Sequence, residues 1–327
     1  MNYHNPDSTW HVFDQITDFE TFKNQFVVEG KFHSLVPEDI QKSYRIVEYI
    51  MAHSYYHYPM YDEALNKALR TLEMAVKLRC DQLNISLEKT NQNKPKFPSP
   101  KYTLSELISK LNAEEPMKYD MREMDRLRNL RNIFMHPENN SFGGVALVGL
   151  LYKMVVVLNK IFLPANFFVR SSALNKLVNT DFFTLAAQPF VLNFQNTRYL
   201  ITEVNALASI PQDLESLHCL FIAPLPNRAS ELIAQHKYLP HWSFHVSNII
   251  NNNVNITAKI IGTNDRLSIQ RTEHESDLKL YEEFCEALKN SSPKDIAIYN
   301  SFYNFRKGEE LNKFYYNHLC NVDPSLK

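Results

Sequence analysis

The chain has 327 residues, a formal net charge of −1, 44% hydrophobic residues and 22% charged ones, which is enough chain for two cores and excludes disorder. Lys and Arg total 35 against 36 Asp and Glu, which excludes binding long nucleic acid by bulk charge and confines any such contact to a local patch. Only six glycines are present, and neither GxGxxG nor GxxxxGK[ST] occurs, which argues against a Rossmann or P-loop nucleotide site.

Residues 1–36 read as a short packed arm carrying Trp10, Phe13, Phe19, Phe22 and Phe26. Pro37 with Glu38 and Asp39 starts a helix predicted to reach His53, since proline suits the first turn and acids complement the dipole there. An aromatic turn follows, His53 to Pro59, in which His53 and His57 are expected to pack around Tyr55, Tyr56 and Tyr58. A second helix is predicted over 60–83, with Tyr61, Ala64, Leu65, Ala68, Leu69, Leu72, Ala75 and Val76 on one apolar stripe. Residues 84–102, with Pro95, Pro98 and Pro100, read as a loop. Thr103 and Glu106 form a capping box for a short helix. A fourth helix over 119–135 ends before His136-Pro137, because a residue before proline is pushed out of the helical region. Gly143 to Leu163 is apolar enough to suggest a membrane span. Lys153 at its centre, followed by Asn159 and Lys160, points instead to a buried helix closed by Pro164.

Beyond Pro164 the pattern changes. Strands are predicted at 190–194, 198–204, 218–223, 242–246, 254–261 and 266–271, the first two joined around Asn196-Thr197. Helices are predicted over 277–288 and 293–303. The expected class is α+β, mostly α: an arm (1–36), a helical bundle (37–164), then an α+β domain with an antiparallel sheet (165–327). Cys80, Cys219, Cys285 and Cys320 are too irregularly spaced for a zinc pair or disulfide framework. The first residues lack a basic start and an apolar stretch, so a reducing, cytoplasmic location is expected.

The stretch with chemistry is Arg131-Asn132-x-x-x-His136. Asn132 and His136 stand four apart on one helix face, with Arg128 one turn earlier on that stripe. Arg131 is offset but long enough to reach the same edge. Arginine holds phosphate oxygens in a fork and stabilises charge building on phosphorus. Histidine, titrating near neutrality, moves the proton of a 2′-OH or of a leaving 5′-oxygen. Arg128 and Arg126 are candidate RNA-backbone contacts. Glu73 on the second helix is a candidate partner for an arginine of the motif helix. The plain alternative is an ion-paired arginine and a helix-capping histidine.

The run Arg131-Asn132-x-x-x-His136 resembles the R-x4-6-H motif of the HEPN superfamily. The similarity extends to the helix order over about residues 37–163: long helix, variable loop, short helix, motif helix, apolar helix. It implies an endoribonuclease that needs neither metal nor cofactor and leaves 2′,3′-cyclic phosphate ends. It implies Arg131 as phosphate binder, Asn132 as polar helper and His136 as general acid/base. A homodimer with a composite site is implied, as is a role in antiphage defence or a toxin–antitoxin pair. An antitoxin is then an expected partner, and a phage protein or a nucleotide an expected trigger. Some HEPN domains only bind RNA, nucleotide or protein, which stays open as the alternative.

His241 and His245 are four apart, but on a predicted strand, with no acid or cysteine at ligand spacing, so no metal site is expected. The aromatic stripe Tyr299, Phe302, Tyr303, Phe305, Phe314, Tyr315 reads as core or subunit interface before a base-stacking platform.

Overall fold

In the computed structural model the helices of the first half begin at the start signals in the sequence. The structure describes residues 5–13, 16–89, 101–116, 121–135, 143–185, 189–212, 215–225, 235, 240–252 and 255–322. Helix α1 (Phe19–Phe26) is capped by Asp18, whose carboxylate accepts from the Thr21 N–H at 2.7 Å. Pro37 precedes α2 (Glu38–His53) and Pro59 precedes α3 (Met60–Gln82). The capping box of Thr103 and Glu106 opens α4 (Leu104–Glu114) with both hydrogen bonds formed. Helix α5 (Met121–Met135) carries the motif, and α6 (Val148–Phe162) follows a 3-10 turn, Gly144–Leu147. His136, Pro137 and most of the proline-rich loop (90–100) lie outside the described residues.

The chain divides into two units, Met1–Phe168 with Leu319–Pro324 and Val169–His318 with Ser325–Lys327. In the first, α3 is central and packs against α2, α4, α5 and α6. Its apolar stripe, Leu65, Ala68, Leu69, Leu72, Ala75 and Val76, is buried throughout. The stretch Gly144–Phe162 is long and apolar enough to cross a membrane by length and composition, yet 56% of it is buried inside the fold. One polar residue on it is accounted for: Asn159 accepts from the His33 N–H at 3.1 Å and donates to the Lys31 carbonyl at 2.8 Å. The arm belongs to this core. Trp10 lies against Phe22 and Tyr58, at centroid distances of 4.6 and 4.9 Å, and donates to the Ser54 carbonyl at 2.9 Å.

The second unit is α+β, and its antiparallel sheet closes on itself. Strands β1 (Phe190–Phe194), β2 (Thr197–Ile210), β3 (Leu217–Pro224), β4 (Trp242–Asn251), β5 (Asn255–Ile260) and β6 (Arg266–Arg271) pair in sequence order, and β6 pairs back onto β1. Closure removes the exposed edges an open sheet leaves. The turn between β1 and β2 is Gln195-Asn196, both with positive φ (48° and 59°), not Asn196-Thr197. That is the mirror-image turn whose twist suits a two-residue hairpin. Leu192, Ile201, Leu220, Ile222, Val246, Ile256, Leu267 and Ile269 fill the barrel.

Helix α7 (Ala165–Leu185) is absent from the sequence reading. Within the second unit its Asn179 amide donates to the Ala206 carbonyl and accepts from the Ala206 N–H, both at 2.9 Å, beside an irregularity in the β2–β3 register. Helices α8 (Glu275–Asn290) and α9 (Pro293–His318) complete the unit. The latter runs fifteen residues past its expected end at 303 and packs on β2 and β3. It covers the outer side of β3, where Phe221 and Ala223 meet Tyr303.

Candidate active site

Among the described side chains of α5, Met124 and Leu127 are buried, and they set which way their neighbours face. Arg131 stands one turn beyond Leu127, on the edge of that buried face. Its Nη2 donates to Glu73 Oε2 on α3 at 2.9 Å, and its Nη1 to Asn132 Oδ1 at 3.3 Å. Glu73 also accepts from Lys77 Nζ at 2.6 Å. Burial raises the Glu73 carboxyl pKa, but Lys77 and then Arg131 outweigh it, so the group sits below the ordinary carboxylate range. Two cations against one carboxylate leave this cluster with one net positive charge. That favours a phosphate.

Arg128 is tied into its own surroundings. Its Nη1 donates to Ser105 Oγ on α4 at 2.5 Å, and its Nη2 lies 3.5 Å from Asp125 Oδ1 and donates to Asn129 Oδ1 at 3.1 Å. The Nε groups of both Arg128 and Arg131 are buried and find no acceptor among the described residues. A buried donor without a partner costs about 1–3 kcal/mol, so an acceptor reaching it is favoured. Arg126 and Asn132 are exposed.

The structure thus brings Glu73, Arg131 and Asn132 together, with Arg128 on the same helix anchored to α4 instead. Arg126 faces solvent. His136 lies outside the described residues, one position past the end of α5. Two partners escaped sequence reasoning, Lys77 and Ser105. Lys77 was detectable, because it stands four residues after Glu73 on the same helix. Ser105 was not, since α4 and α5 meet only in the fold.

Other candidate groups resolve into packing. Burial pushes the thiols of Cys80 and Cys219 up to about 11 and about 12, which makes both poor nucleophiles at neutral pH. His245 shares a hydrogen bond with His318 at 3.0 Å, and His241 stacks on Phe221 at a centroid distance of 5.2 Å. Among the described residues no group of three His, Cys, Asp or Glu is placed to hold a metal ion. Of the aromatic stripe on α9, Tyr303 and Phe314 are buried while Phe302 and Phe305 are exposed. Near the aromatic turn, His57 Nδ1 lies 4.0 Å from Asp7 Oδ2.

Comparisons with models of known protein families, with curated proteins and with solved structures give no match.

Proposed function

We propose that the chain is a HEPN-type endoribonuclease that cleaves RNA without metal or cofactor and leaves 2′,3′-cyclic phosphate ends. One observation carries the reading: Arg131 is held between Glu73 and Asn132 on the last described turn of the motif helix. A guanidinium oriented in this way can grip a phosphate and meet the charge that builds on phosphorus. His136 takes the proton of the ribose 2′-OH. The 2′-oxygen bonds to phosphorus, the bond from phosphorus to the 5′-oxygen breaks, and that oxygen leaves with a proton. The reaction needs both a base and an acid, and one motif carries one histidine. A homodimer, with two motif helices sharing a composite site, supplies the second. Arg128 and Arg126 guide the RNA backbone.

In this reading the protein works in the cytoplasm, off the membrane, in antiphage defence or as a toxin held by an antitoxin. The barrel unit senses the trigger, a phage protein or a nucleotide, or restrains the nuclease.

The same ion pair supports a second reading. An arginine committed to Glu73 is also what a non-catalytic module binding RNA, nucleotide or protein would carry. Cleavage of end-labelled RNA in EDTA separates the two. The nuclease reading expects wild type to leave 2′,3′-cyclic phosphate ends, and His136→Ala and Arg131→Ala to lose at least about a hundredfold in rate. Equal cleavage by wild type and variants removes the motif from the chemistry. RNA retention without cleavage, by all three, favours the module.

A further inference from the structure

One end of the barrel opens above its packed core. Phe194, Tyr199, Trp242 and Phe244 are half-buried there and border a cavity of about 360 Å³. Side chains alternate along a strand, so these four share the inward face with Leu192, Ile201 and Val246, which are fully buried one layer deeper. The aromatic residues form two edge-to-face pairs. Phe194 meets Phe244 at 5.2 Å, and Tyr199 meets Trp242 at 4.7 Å. An edge-to-face pair uses only one face of one ring, which leaves faces free for stacking.

The remaining wall is polar. It includes Glu310 of α9 with His241, just before β4, and Ser243, which alternate to the face opposite Trp242 and Phe244 and border the cavity at the strand end. The Glu310 carboxylate is largely enclosed, with Lys313 on Oε1 at 2.8 Å. Burial lowers the His241 pKa. Among the described lining residues there is an acid and no lysine or arginine. A carboxylate acceptor in the wall favours a ring that carries N–H donors. The volume lies at the lower end of the range for small-ligand sites, about 300–1,000 Å³, and holds one base rather than a dinucleotide.

We infer that this barrel mouth binds an amino-substituted heteroaromatic ring, of the kind a nucleobase presents. The ring stacks on the aromatic layer and donates its N–H groups to Glu310. This reading rests on the second unit alone and does not depend on the motif of α5.

The test is calorimetric titration of the full chain with guanosine and adenosine, and with ribose 5-phosphate as a probe without a base. Saturable binding of a nucleoside is expected, with Kd at or below about 1 mM, and none of ribose 5-phosphate. Glu310→Gln keeps the shape of the side chain and should weaken binding about five- to tenfold, because it replaces a charge-assisted hydrogen bond with a neutral one. Trp242→Leu should weaken binding further by removing a stacking surface. No saturable nucleoside binding by wild type overturns the proposal, as does equal binding of ribose 5-phosphate. Unchanged affinity in Glu310→Gln does the same, and that conservative variant keeps the test valid if Trp242→Leu fails to fold. None of these readouts involves RNA cleavage.

Discussion

Glu73 is the residue on which the candidate site turns. It orients Arg131 and removes part of its charge at the same time. Glu73→Gln retains the shape and deletes the charge. Because the pair is partly exposed, the stability loss should stay within about 1 kcal/mol. On the nuclease reading kcat should fall about tenfold with little change in KM, since the loss lies in orienting the guanidinium. Steady-state cleavage of a short RNA by both forms checks this. An unchanged kcat would make Glu73 a surface ion pair only. The pH behaviour has a definite sign. The folded-state pKa of Glu73 is lowered, so its contribution is present above the ordinary carboxylate value and is lost as pH falls below it.

His218 behaves in the opposite chemical sense. Burial lowers its pKa to about 4 while Ser209 Oγ bonds Nδ1 at 2.8 Å. The unfolded chain binds a proton near pH 6.5 and the folded one does not. Stability from neutral burial is therefore complete above about pH 6.5, falls as pH drops, and levels off below about pH 4. The total is on the order of 3 kcal/mol. His318, lowered to about 4 by burial and then by His245, adds to the same slope. Urea unfolding at steps from pH 7 to pH 4 should show the decline, and His218→Gln should flatten part of it. A slope unchanged in the variant would place the titration elsewhere.

At the scale of elements, the apolar helix after Gly143-Gly144 depends on how its start is closed. Asp62 accepts from the N–H groups of Gly143 and Gly144 at 3.0 and 3.1 Å, and the Tyr58 hydroxyl accepts from the Val145 N–H at 3.1 Å. Gly144 has φ +49°, and a Cβ there would stand 1.9 Å from the Tyr58 hydroxyl. Gly144→Ala should therefore cost more than a simple cap, about 2–4 kcal/mol, against about 1–2 kcal/mol for Asp62→Ala. Thermal unfolding of the two variants gives the order, and a milder Gly144→Ala would mean that Tyr58 yields easily. The helices of this unit were legible because prolines, acids and a capping box mark their starts locally. Helix α7 was not, since aromatic, Asn, Ser and Thr residues dilute its pattern. Helix α9 was read too short. Gly308 sits inside it where a Cβ would meet only open space, and the pairs Arg306–Glu309 and Glu310–Lys313 carry the helix past it. The Glu73–Arg131 contact was visible as a chemical complement, whereas its distance is a property of packed helices.

For the whole molecule, the least legible features join residues far apart in the chain. Six strands can be read one by one, but closure is the pairing of Phe190 with Arg271, and no local pattern announces it. The same holds for the return of the chain from the barrel unit to the helical one at Leu319. Leu319 and Val322 are buried, and the 3-10 turn Leu319–Asn321 packs against α6. The helical unit is thus completed by residues more than 150 positions beyond α6. Leu319→Ala removes a fully buried side chain and should cost that unit about 2–5 kcal/mol. Each unit holds one of the two tryptophans, Trp10 in the first and Trp242 in the second, so emission can report on them separately. In Trp242→Phe, where Trp10 alone reports, Leu319→Ala should lower the unfolding midpoint. In Trp10→Phe, where Trp242 reports, the midpoint should move less. If the larger shift is seen by Trp242, the segment from Leu319 serves the barrel and its place in the helical unit is wrong.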